Sequence, residues 1–283
     1  MTTVRTVAAT FEARPTLEGA GVHLKRGFGS GQELLFDPFL LFDDFSGDEP
    51  AQFVAGFPWH PHRGIETITY LLEGQVDHGD SLGNAGQIAP GDVQWMTAGS
   101  GIIHQEMPAP SPAGKLVGFQ LWANLPAAAK MMPPRYRGLT AADIPVLATE
   151  AASIRIISGA VDGVEGPVRD IVIAPEYLDV TLQPLARWTH PVPAGHTQIA
   201  YLFRGSAACE PDGAQLDGTA GTVVLFGEGD TLALTAGAGG ARLLLFGGRP
   251  LREPIAWRGP IVMNSQAELR QAFEDYRAGR FVR

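Results

Sequence analysis

Residues 68–74 read ITYLLEG, and residues 199–205 read IAYLFRG. Each is a short run of aliphatic and aromatic residues that ends on glycine, which is the pattern of a strand leading into a turn. Further along each half, residues 91–99 (GDVQWMTAG) resemble residues 229–237 (GDTLALTAG). Two strand-and-turn units in the same order predict a duplicated β-domain. Chance similarity is the alternative, because short apolar strands look alike in any all-β chain.

The rest of the chain has the same character. Glycine (35) and proline (22) are frequent and separate short runs rich in Val, Ile, Leu and Phe. Many short strands are expected, and the fold class is predicted to be all-β, as a sandwich or barrel. The exception is a helix predicted over residues 267–277, for which Ser265 or Asn264 is a natural N-cap. Its apolar face would carry Leu269, Phe273 and Tyr276.

The length of 283 residues suits one large or two medium domains, and the repeat favours two. We therefore predict an N-terminal, metal-binding domain over residues 1–132 and a C-terminal domain over residues 149–283. The intervening residues 133–148 are proline-containing and polar, and they are predicted to be a linker.

Charge and composition exclude several functions. The formal charge of −9 disfavours direct nucleic-acid binding, because that affinity comes from Lys and Arg displacing counterions. No apolar run has the length of a signal peptide or a membrane span, so a soluble, cytoplasmic protein without membrane contact is expected. A single cysteine, Cys209, excludes an internal disulfide framework and a thiolate zinc cage, and it is expected to be a small buried hydrophobe.

Two short segments concentrate the residue types that bind metals. The first contains His60 and His62 on either side of a proline, and the second contains His104 and Glu106 on either side of a glutamine. Residues two apart in a strand point to the same face, so each pair would converge inside a barrel. A lone histidine is usually a hydrogen-bonded core side chain. Two pairs at strand spacing favour a metal site, because polar rings in a β core need partners.

Three imidazoles and a carboxylate suit one divalent transition ion, and the donors alone do not choose among Fe, Mn, Ni, Co, Cu and Zn. They leave one or two positions of a five- or six-coordinate ion for substrate or oxygen, unlike the closed sites that only hold a fold together. The remaining histidines, His23, His78, His190 and His196, are predicted to bind no metal.

Several segments resemble the pirin family, a branch of the cupin superfamily with two cupin barrels in one chain. The resemblance extends over nearly the full length and is carried, in order, by residues 14–23 (RPTLEGAGVH), 37–45 (DPFLLFDDF), 57–64 (FPWHPHRG), 94–99 (QWMTAG), 101–104 (GIIH), 250–254 (PLREP) and 259–264 (GPIVMN). It implies two double-stranded β-helix (jelly-roll) domains in tandem, with a short helix at the C-terminal end.

The resemblance also implies that the metal is Fe(II), held by His60, His62, His104 and Glu106. The general cupin pattern instead takes its carboxylate a few residues after the first histidine pair, where Glu66 stands, so Glu66 is a rival ligand. The repeat places Pro191, Pro193, Arg242 and Leu244 at the four ligand positions of the second half. That half is expected to be metal-free.

Two functions follow from the resemblance. Bacterial pirin-like proteins resemble quercetin 2,3-dioxygenases, which open a flavonol ring with O2, so the expected substrates are a small aromatic, flavonol-like molecule and O2. Glu106 would then be both ligand and catalytic proton acceptor. The aromatic and apolar residues near the ligands would form either the wall of a pocket or the barrel core: Phe57, Trp59, Trp95 and Met96.

The alternative is a non-enzymatic, iron-dependent regulatory protein that binds a transcription factor or a metabolic enzyme. Candidate surfaces for such a protein partner are the acidic residues 37–48 and the C-terminal helix, although each is more simply a solvated loop or a packing element. Arg63, beside the ligands, would either contact an anion or form a structural salt bridge.

Overall fold

The computed structural model describes residues 2–218 and 221–282. The chain divides into two compact units, of which the first comprises Pro15–Ala142 with Leu251–Arg283 and the second comprises Met1–Arg14 with Asp143–Pro250. In the described ranges the strands are β1 (Val7–Glu12), β2 (Arg14–Glu18), β3 (Val22–Phe28), β4 (Phe39–Asp44), β5 (Phe57–His62), β6 (Ile65–Glu73), β7 (Gln75–Asp80), β8 (Ala85–Ile88), β9 (Val93–Thr97), β10 (Ile102–Ala109), β11 (Val117–Asn124), β12 (Arg135–Leu139), β13 (Val146–Ala148), β14 (Ala152–Ser158), β15 (Ala160–Val161), β16 (Val164–Glu165), β17 (Glu176–Leu182), β18 (Arg187–Pro191), β19 (Thr197–Cys209), β20 (Gln215–Asp217), β21 (Thr222–Phe226), β22 (Thr231–Gly248), β23 (Ala256–Arg258) and β24 (Ile261–Met263).

Helices are few, as the sequence predicts. The α-helices are α1 (Glu33–Phe36) and α2 (Gln266–Arg277), and 3-10 turns occur at Pro50–Gln52 and Ala127–Ala129. Among the described residues, no helix has both the length and the apolar character that a membrane crossing requires. The predicted all-β class with two cupin-type domains and one short C-terminal helix is confirmed.

The first unit consists of two antiparallel sheets and a small hairpin. Seven strands follow the order β12-β9-β6-β11-β4-β3-β2, and four follow the order β5-β10-β7-β8. Strands β23 and β24 form the hairpin. Strand β6 is buried along most of its length, and its buried residues include the polar side chains of Glu66, Thr67 and Thr69.

The second unit is built around one nine-stranded sheet. Its main path is β1-β21-β19-β22-β17-β14-β13, with β18 on β22 and β20 on β19, and β15 pairs with β16 as a separate hairpin. The two long strands, β19 and β22, pass through both halves of this sheet, and their inward residues form a continuous aliphatic core. This unit lacks the break between sheets that separates β6 from β7 in the first unit.

The repeat is present in the structure, but its second pair of segments is offset from the sequence alignment. Ile68 in β6 pairs with Trp95 in β9, and the equivalent Ile199 in β19 pairs with Leu225 in β21. Strand β21 therefore takes the place of β9. Residues 229–237, which resemble β9 in sequence, instead lead into the first half of β22, which pairs with β18. Short glycine-bounded strands share a pattern whichever sheet they enter, so the pattern alone misaligned them.

The compact units differ from the predicted division of the chain in three places. The first strand, β1, pairs with β21 of the second unit. The last segment, from Leu251, belongs to the first unit, where Val262 packs with Ile65 and Met96. Residues predicted to be linker include β12, which pairs with β9 along its length. Each case is a long-range strand or core contact, which local composition does not encode.

The C-terminal helix agrees with the prediction at both ends, but its buried face is different. Ser265 accepts a hydrogen bond from the Glu268 backbone, and the Glu268 side chain returns to the Ser265 backbone, which completes a capping box. The buried side chains are Leu269, Ala272 and Asp275, whereas Tyr276 is exposed. The inward face of the helix therefore includes a buried acidic residue, Asp275, which the periodicity of the apolar residues could not reveal.

Of the four acidic residues in the range 37–48, Asp48 is exposed. Asp37, Asp43 and Asp44 are buried and therefore offer little surface to the protein partner of the regulatory alternative. Asp37 accepts a hydrogen bond from the Arg252 backbone, and Asp43 accepts two from the guanidinium of Arg26. These carboxylates are therefore structural partners within the first unit. Cys209 is buried, as predicted, and burial raises the pKa of its thiol to about 12.

Gly64, in the turn between β5 and β6, is required by a close backbone approach. It adopts φ +80°, and a Cβ atom there would lie well inside contact distance of the Val262 carbonyl oxygen. We expect Gly64→Ala to lower the free energy of unfolding by more than about 1 kcal/mol, because both the backbone and its neighbour must move. Denaturant titration measures this. Gly138→Ala is the matched control, since nothing lies within 4 Å of its Cβ position, and equal effects of the two changes would contradict the interpretation.

Candidate metal centre

Strands β5 and β10 carry the two histidine-containing segments as antiparallel neighbours. His104 lies opposite His60, and Ile102 lies opposite His62. Beyond that point the register shifts, so that Glu106 lies opposite Phe57. The extra residue in β5 forms an irregularity of the kind that re-aims side chains beside functional sites. It follows Pro58, which has no N–H to give to the ladder.

The structure brings the three predicted histidines together. One ligand atom from each of His60, His62 and His104 lies within 4.8 Å of the others. The ring centroids are 4.8 Å apart for His60 and His62, 4.4 Å for His60 and His104, and 5.0 Å for His62 and His104. His62 and His104 are buried, and His60 is half-buried at the mouth of the cluster. The cluster could hold a metal ion.

The hydrogen bonds of two rings identify their metal-facing atoms. His60 Nδ1 lies 2.8 Å from the Pro58 carbonyl oxygen, and His62 Nδ1 lies 3.2 Å from the Pro260 carbonyl oxygen. A carbonyl accepts only, so each Nδ1 carries the proton and each Nε2 presents a lone pair. The two Nε2 atoms are nevertheless 3.0 Å apart. Two lone pairs at that distance repel unless a cation lies between them, and imidazole nitrogens bound at about 2.1 Å on one ion approach this closely.

The surroundings of His104 also favour a cation at this cluster. Both of its ring nitrogens are buried and have no hydrogen-bond partner among the described residues. An unpaired buried imidazole is costly, and a bound ion would satisfy one of its nitrogens. Burial lowers the pKa of His104 and of His62 well below the ordinary value, with a further lowering from the neighbouring His60 ring. Both rings are thus held in the neutral form that binds metals.

Glu106 lies beside the histidines but is not a member of their cluster. It is buried, and it lines the same cavity as His60 and His62. Its Oε1 accepts a hydrogen bond of 2.8 Å from Thr69 Oγ1, and its Oε2 accepts one of 2.9 Å from Gln120 Nε2. The carboxylate is therefore fixed in orientation at the edge of the cluster.

The rival carboxylate, Glu66, occupies a different environment. It is fully buried in β6, where its Oε1 accepts a hydrogen bond of 2.6 Å from Thr97 Oγ1. Burial raises the pKa of its carboxyl group. Glu66 belongs neither to the histidine cluster nor to the lining of the cavity. Its side chain is buried and is hydrogen-bonded to the neighbouring strand β9.

Arg63 forms a buried structural salt bridge, which was one of its two predicted roles. Its Nη1 donates to Asp275 Oδ2 over 2.9 Å, and its Nη2 donates to the Phe281 carbonyl oxygen over 3.0 Å. The guanidinium also lies 4.2 Å from the centroid of the Phe281 ring. Both charged side chains are almost fully buried. Arg63 thus ties helix α2 to the strand that carries His60 and His62.

A cavity of about 580 Å³ opens onto the histidines and has mixed aromatic and polar walls. Of the predicted wall residues, Phe57 lines this cavity. Trp95 and Met96 are core side chains, and Trp59 is 53% exposed. The two tryptophans that do line it were missed by the sequence analysis, because they lie far from the ligand motifs: Trp122 and Trp257. The ring of Trp122 meets that of His62 edge-on at 5.0 Å.

The other histidines have protein partners or lie apart from the cluster. His78 Nδ1 lies 2.7 Å from Tyr136 Oη, and His190 Nε2 lies 2.8 Å from Glu176 Oε1. In the second unit, β18 and the first half of β22 take the places of β5 and β10. The buried residues of these two segments are Trp188, His190, Leu232, Ala233, Leu234 and Ala236. Of the residues given by the sequence repeat, Pro191 ends β18, whereas Pro193 follows this strand and Arg242 and Leu244 lie in the second half of β22.

The fold and the site together define a two-domain cupin with a histidine cluster in one domain. Residues 21–123 match the Pirin family, and residues 177–282 match the Pirin C-terminal cupin domain. The chain belongs to the pirin family, as the sequence motifs indicated.

Relatives of this chain match it almost end to end. A pirin-like protein of Caulobacter vibrioides is 41% identical over 98% of this chain and 99% of its own. Human pirin is 39% identical over 94% of this chain and 90% of its own. The crystal structure of a quercetin 2,3-dioxygenase from Acinetobacter baumannii is similar with a TM-score of 0.89 and 33% identity, covering 99% of both chains.

Removing one partner of the Arg63 salt bridge tests its structural role. We expect Asp275→Ala to lower the free energy of unfolding by about 3–5 kcal/mol, because it leaves a buried guanidinium without its counter-charge. Denaturant titration measures the loss. Asp48→Ala is the control, since Asp48 pairs with Lys115 in an exposed salt bridge, and its loss should cost no more than about 1 kcal/mol. A small effect of Asp275→Ala would show that the pair does not anchor helix α2.

Proposed function

We propose that this protein is a metal-dependent dioxygenase that cleaves a flavonol or a related aromatic enol with O2. The observation that carries the proposal is the approach of the His60 and His62 Nε2 atoms to 3.0 Å, with their Nδ1 atoms directed at carbonyl oxygens. This donor set opens into a cavity with aromatic walls. The similarity to a quercetin 2,3-dioxygenase structure supports the choice of reaction.

The ligands that we propose are His60, His62, His104 and Glu106. Fe(II) is the proposed ion, and Mn, Ni, Co, Cu and Zn also suit these donors. Bound there, the ion would act as a Lewis acid toward the enol oxygen and would offer a binding position for O2. Glu106 is preferred to Glu66 because it shares the cavity with the histidines, whereas Glu66 is enclosed in the sheet.

Glu106 is also the proposed proton acceptor. The reacting hydroxyl group of a flavonol must lose its proton before the ring can react as an enolate. A carboxylate offers about four acceptor positions, of which Thr69 and Gln120 use two. The remaining lone pairs can take the substrate proton while the hydrogen bonds hold the group in place.

The cavity walls would orient a planar substrate and exclude water. Phe57, Trp122 and Trp257 present aromatic surfaces around the opening to His60. Aromatic side chains contribute large contact areas to planar ligands in such pockets. The wall also carries polar groups, which include Gln120, Arg258 and the Arg26–Asp43 ion pair. A flat aromatic molecule that carries hydroxyl groups matches this mixed lining.

The ligand set is tested by a histidine substitution with a matched control. We expect His62→Ala to abolish stoichiometric metal binding while leaving the fold intact, because the first unit has apolar clusters of its own. Elemental analysis after anaerobic purification and circular dichroism measure the two effects. His23→Ala is the control, because His23 lies on the exposed side of β3. Stoichiometric metal in His62→Ala would contradict the ligand set.

The reaction is tested with iron-reconstituted protein, O2 and a flavonol. We expect coupled oxygen uptake and release of carbon monoxide, measured by an oxygen electrode and by gas analysis. Glu106→Gln should reduce turnover by about 100-fold or more, since it removes both a ligand and a proton acceptor. Glu66→Gln is the matched carboxylate control and should retain turnover. Absence of turnover in fully metal-loaded protein would contradict the dioxygenase proposal and favour the regulatory alternative.

A further inference from the structure

A line of polar side chains leads from Glu106 to an indole in the cavity wall. Gln120 Nε2 donates to Glu106 Oε2 over 2.9 Å, and Thr69 Oγ1 donates to Glu106 Oε1 over 2.8 Å. Trp122 Nε1 in turn donates to Gln120 Oε1 over 2.9 Å. None of Thr69, Gln120 and Trp122 belongs to the motifs that indicate the metal site.

The donor and the acceptor of each hydrogen bond in this line can be assigned by starting from Trp122, which lies at the end away from Glu106. An indole N–H can only donate, so the amide oxygen of Gln120 must face Trp122. The amide NH2 group must then face inward, where it reaches Glu106 and, at 3.3 Å, Thr69 Oγ1. Thr69 accepts from Gln120 and therefore directs its single hydroxyl proton at Glu106. Both oxygens of Glu106 are consequently acceptors.

The backbone sets this arrangement before any ligand is present. Gln120 and Trp122 are two residues apart in β11, so their side chains extend from the same face of the strand. Thr69 lies directly opposite Gln120 in the neighbouring strand β6. The seven-stranded sheet thereby offers two donors, Thr69 and Gln120, to a carboxylate that extends from β10 of the other sheet, and Trp122 orients the second donor.

We infer that Trp122 and Gln120 are positioning residues, which act on the metal centre through Glu106 by fixing the orientation of its carboxylate. Neither residue needs to touch the ion. Without the indole N–H, the Gln120 amide can rotate and present its oxygen to Glu106, which replaces a donor by an acceptor and repels the carboxylate. The inference rests on the ligand role of Glu106 in the proposed function, but it does not depend on the substrate.

We call the hydrogen bonds from Trp122 through Gln120 to Glu106 the relay. A double-mutant cycle with Co(II) as the probe tests it. The affinity for Co(II) and its visible absorption bands are measured for the wild type, Trp122→Phe, Gln120→Leu and the double variant. We expect each single change to weaken binding by about 10-fold or more and to alter the bands, as loss of an outer partner of a ligand does. The double variant should bind as weakly as Gln120→Leu alone, because the indole acts only through the amide.

The cycle also controls for the packing contacts that are lost when the Trp122 indole is replaced by a smaller ring. Trp122 also contacts the rings of His62 and Trp257, and any effect of losing those contacts would persist when Gln120 is already absent. Multiplicative losses in the double variant would therefore overturn the relay, and so would wild-type affinity in Trp122→Phe. Glu106→Gln separates the two proposals. If it binds Co(II) like the wild type, the proposed ligand role fails; if it binds weakly while Trp122→Phe is normal, only the relay fails.

A measurement without metal examines the hydrogen bond itself. The chain has 5 tryptophans, whose indole N–H groups give separate signals in a nitrogen-15 correlation spectrum. Gln120→Leu should shift the signal of Trp122 and speed its hydrogen exchange. The signal of Trp188, which belongs to β18 of the second unit, should stay in place. An unchanged Trp122 signal would overturn the relay whatever the metal affinities are.

Discussion

Two carbonyl oxygens, those of Pro58 and Pro260, decide what the first unit of this protein can bind. By accepting from the Nδ1 atoms of His60 and His62, they direct two imidazole lone pairs at one point. Such an arrangement is unfavourable for the protein alone, since neighbouring lone pairs repel and buried polar atoms lose water. A folded state that tolerates it must be held by the rest of the unit. A bound cation would relieve the repulsion, and its free energy of binding would add to the stability of the fold.

Much of that support comes from the last residues of the chain. The hairpin β23–β24 brings Pro260 to His62, and the buried ion pair of Arg63 with Asp275 fixes helix α2 against the same strand. Lys130 adds a third connection, donating to the carbonyl oxygens of Gly64 and Val262. The C-terminal segment is therefore part of the wall and scaffold of the histidine cluster. A sequence-based division that gives this segment to the second domain separates it from the residues that it positions.

The features that the sequence predicts are formed by residues close together along the chain, whereas those that it misses are formed by residues far apart. The histidine pairs were predictable because strand periodicity places residues two apart on one face, and that rule is local. The capped helix near the C-terminus was predictable for the same reason. Local rules could not reveal that Asp275 faces inward, because its partner Arg63 is 212 residues away in sequence. They also could not identify Trp122 and Gln120, which reach Glu106 only through pairing of β11 with β6. The offset of the sequence repeat has a similar origin, since glycine-bounded strands resemble one another wherever they pair.

The bond between His62 and Pro260 joins residues 198 positions apart, and this separation sets an order of events during synthesis. A ribosome that has completed β5 to β12 has released all three histidines, yet the acceptor that orients His62 does not exist until residue 260 has been added. The nascent first unit thus has its three histidines present while one of them is unoriented. Orientation of the His62 ring is therefore a late step, because it depends on an acceptor 198 positions further along the chain.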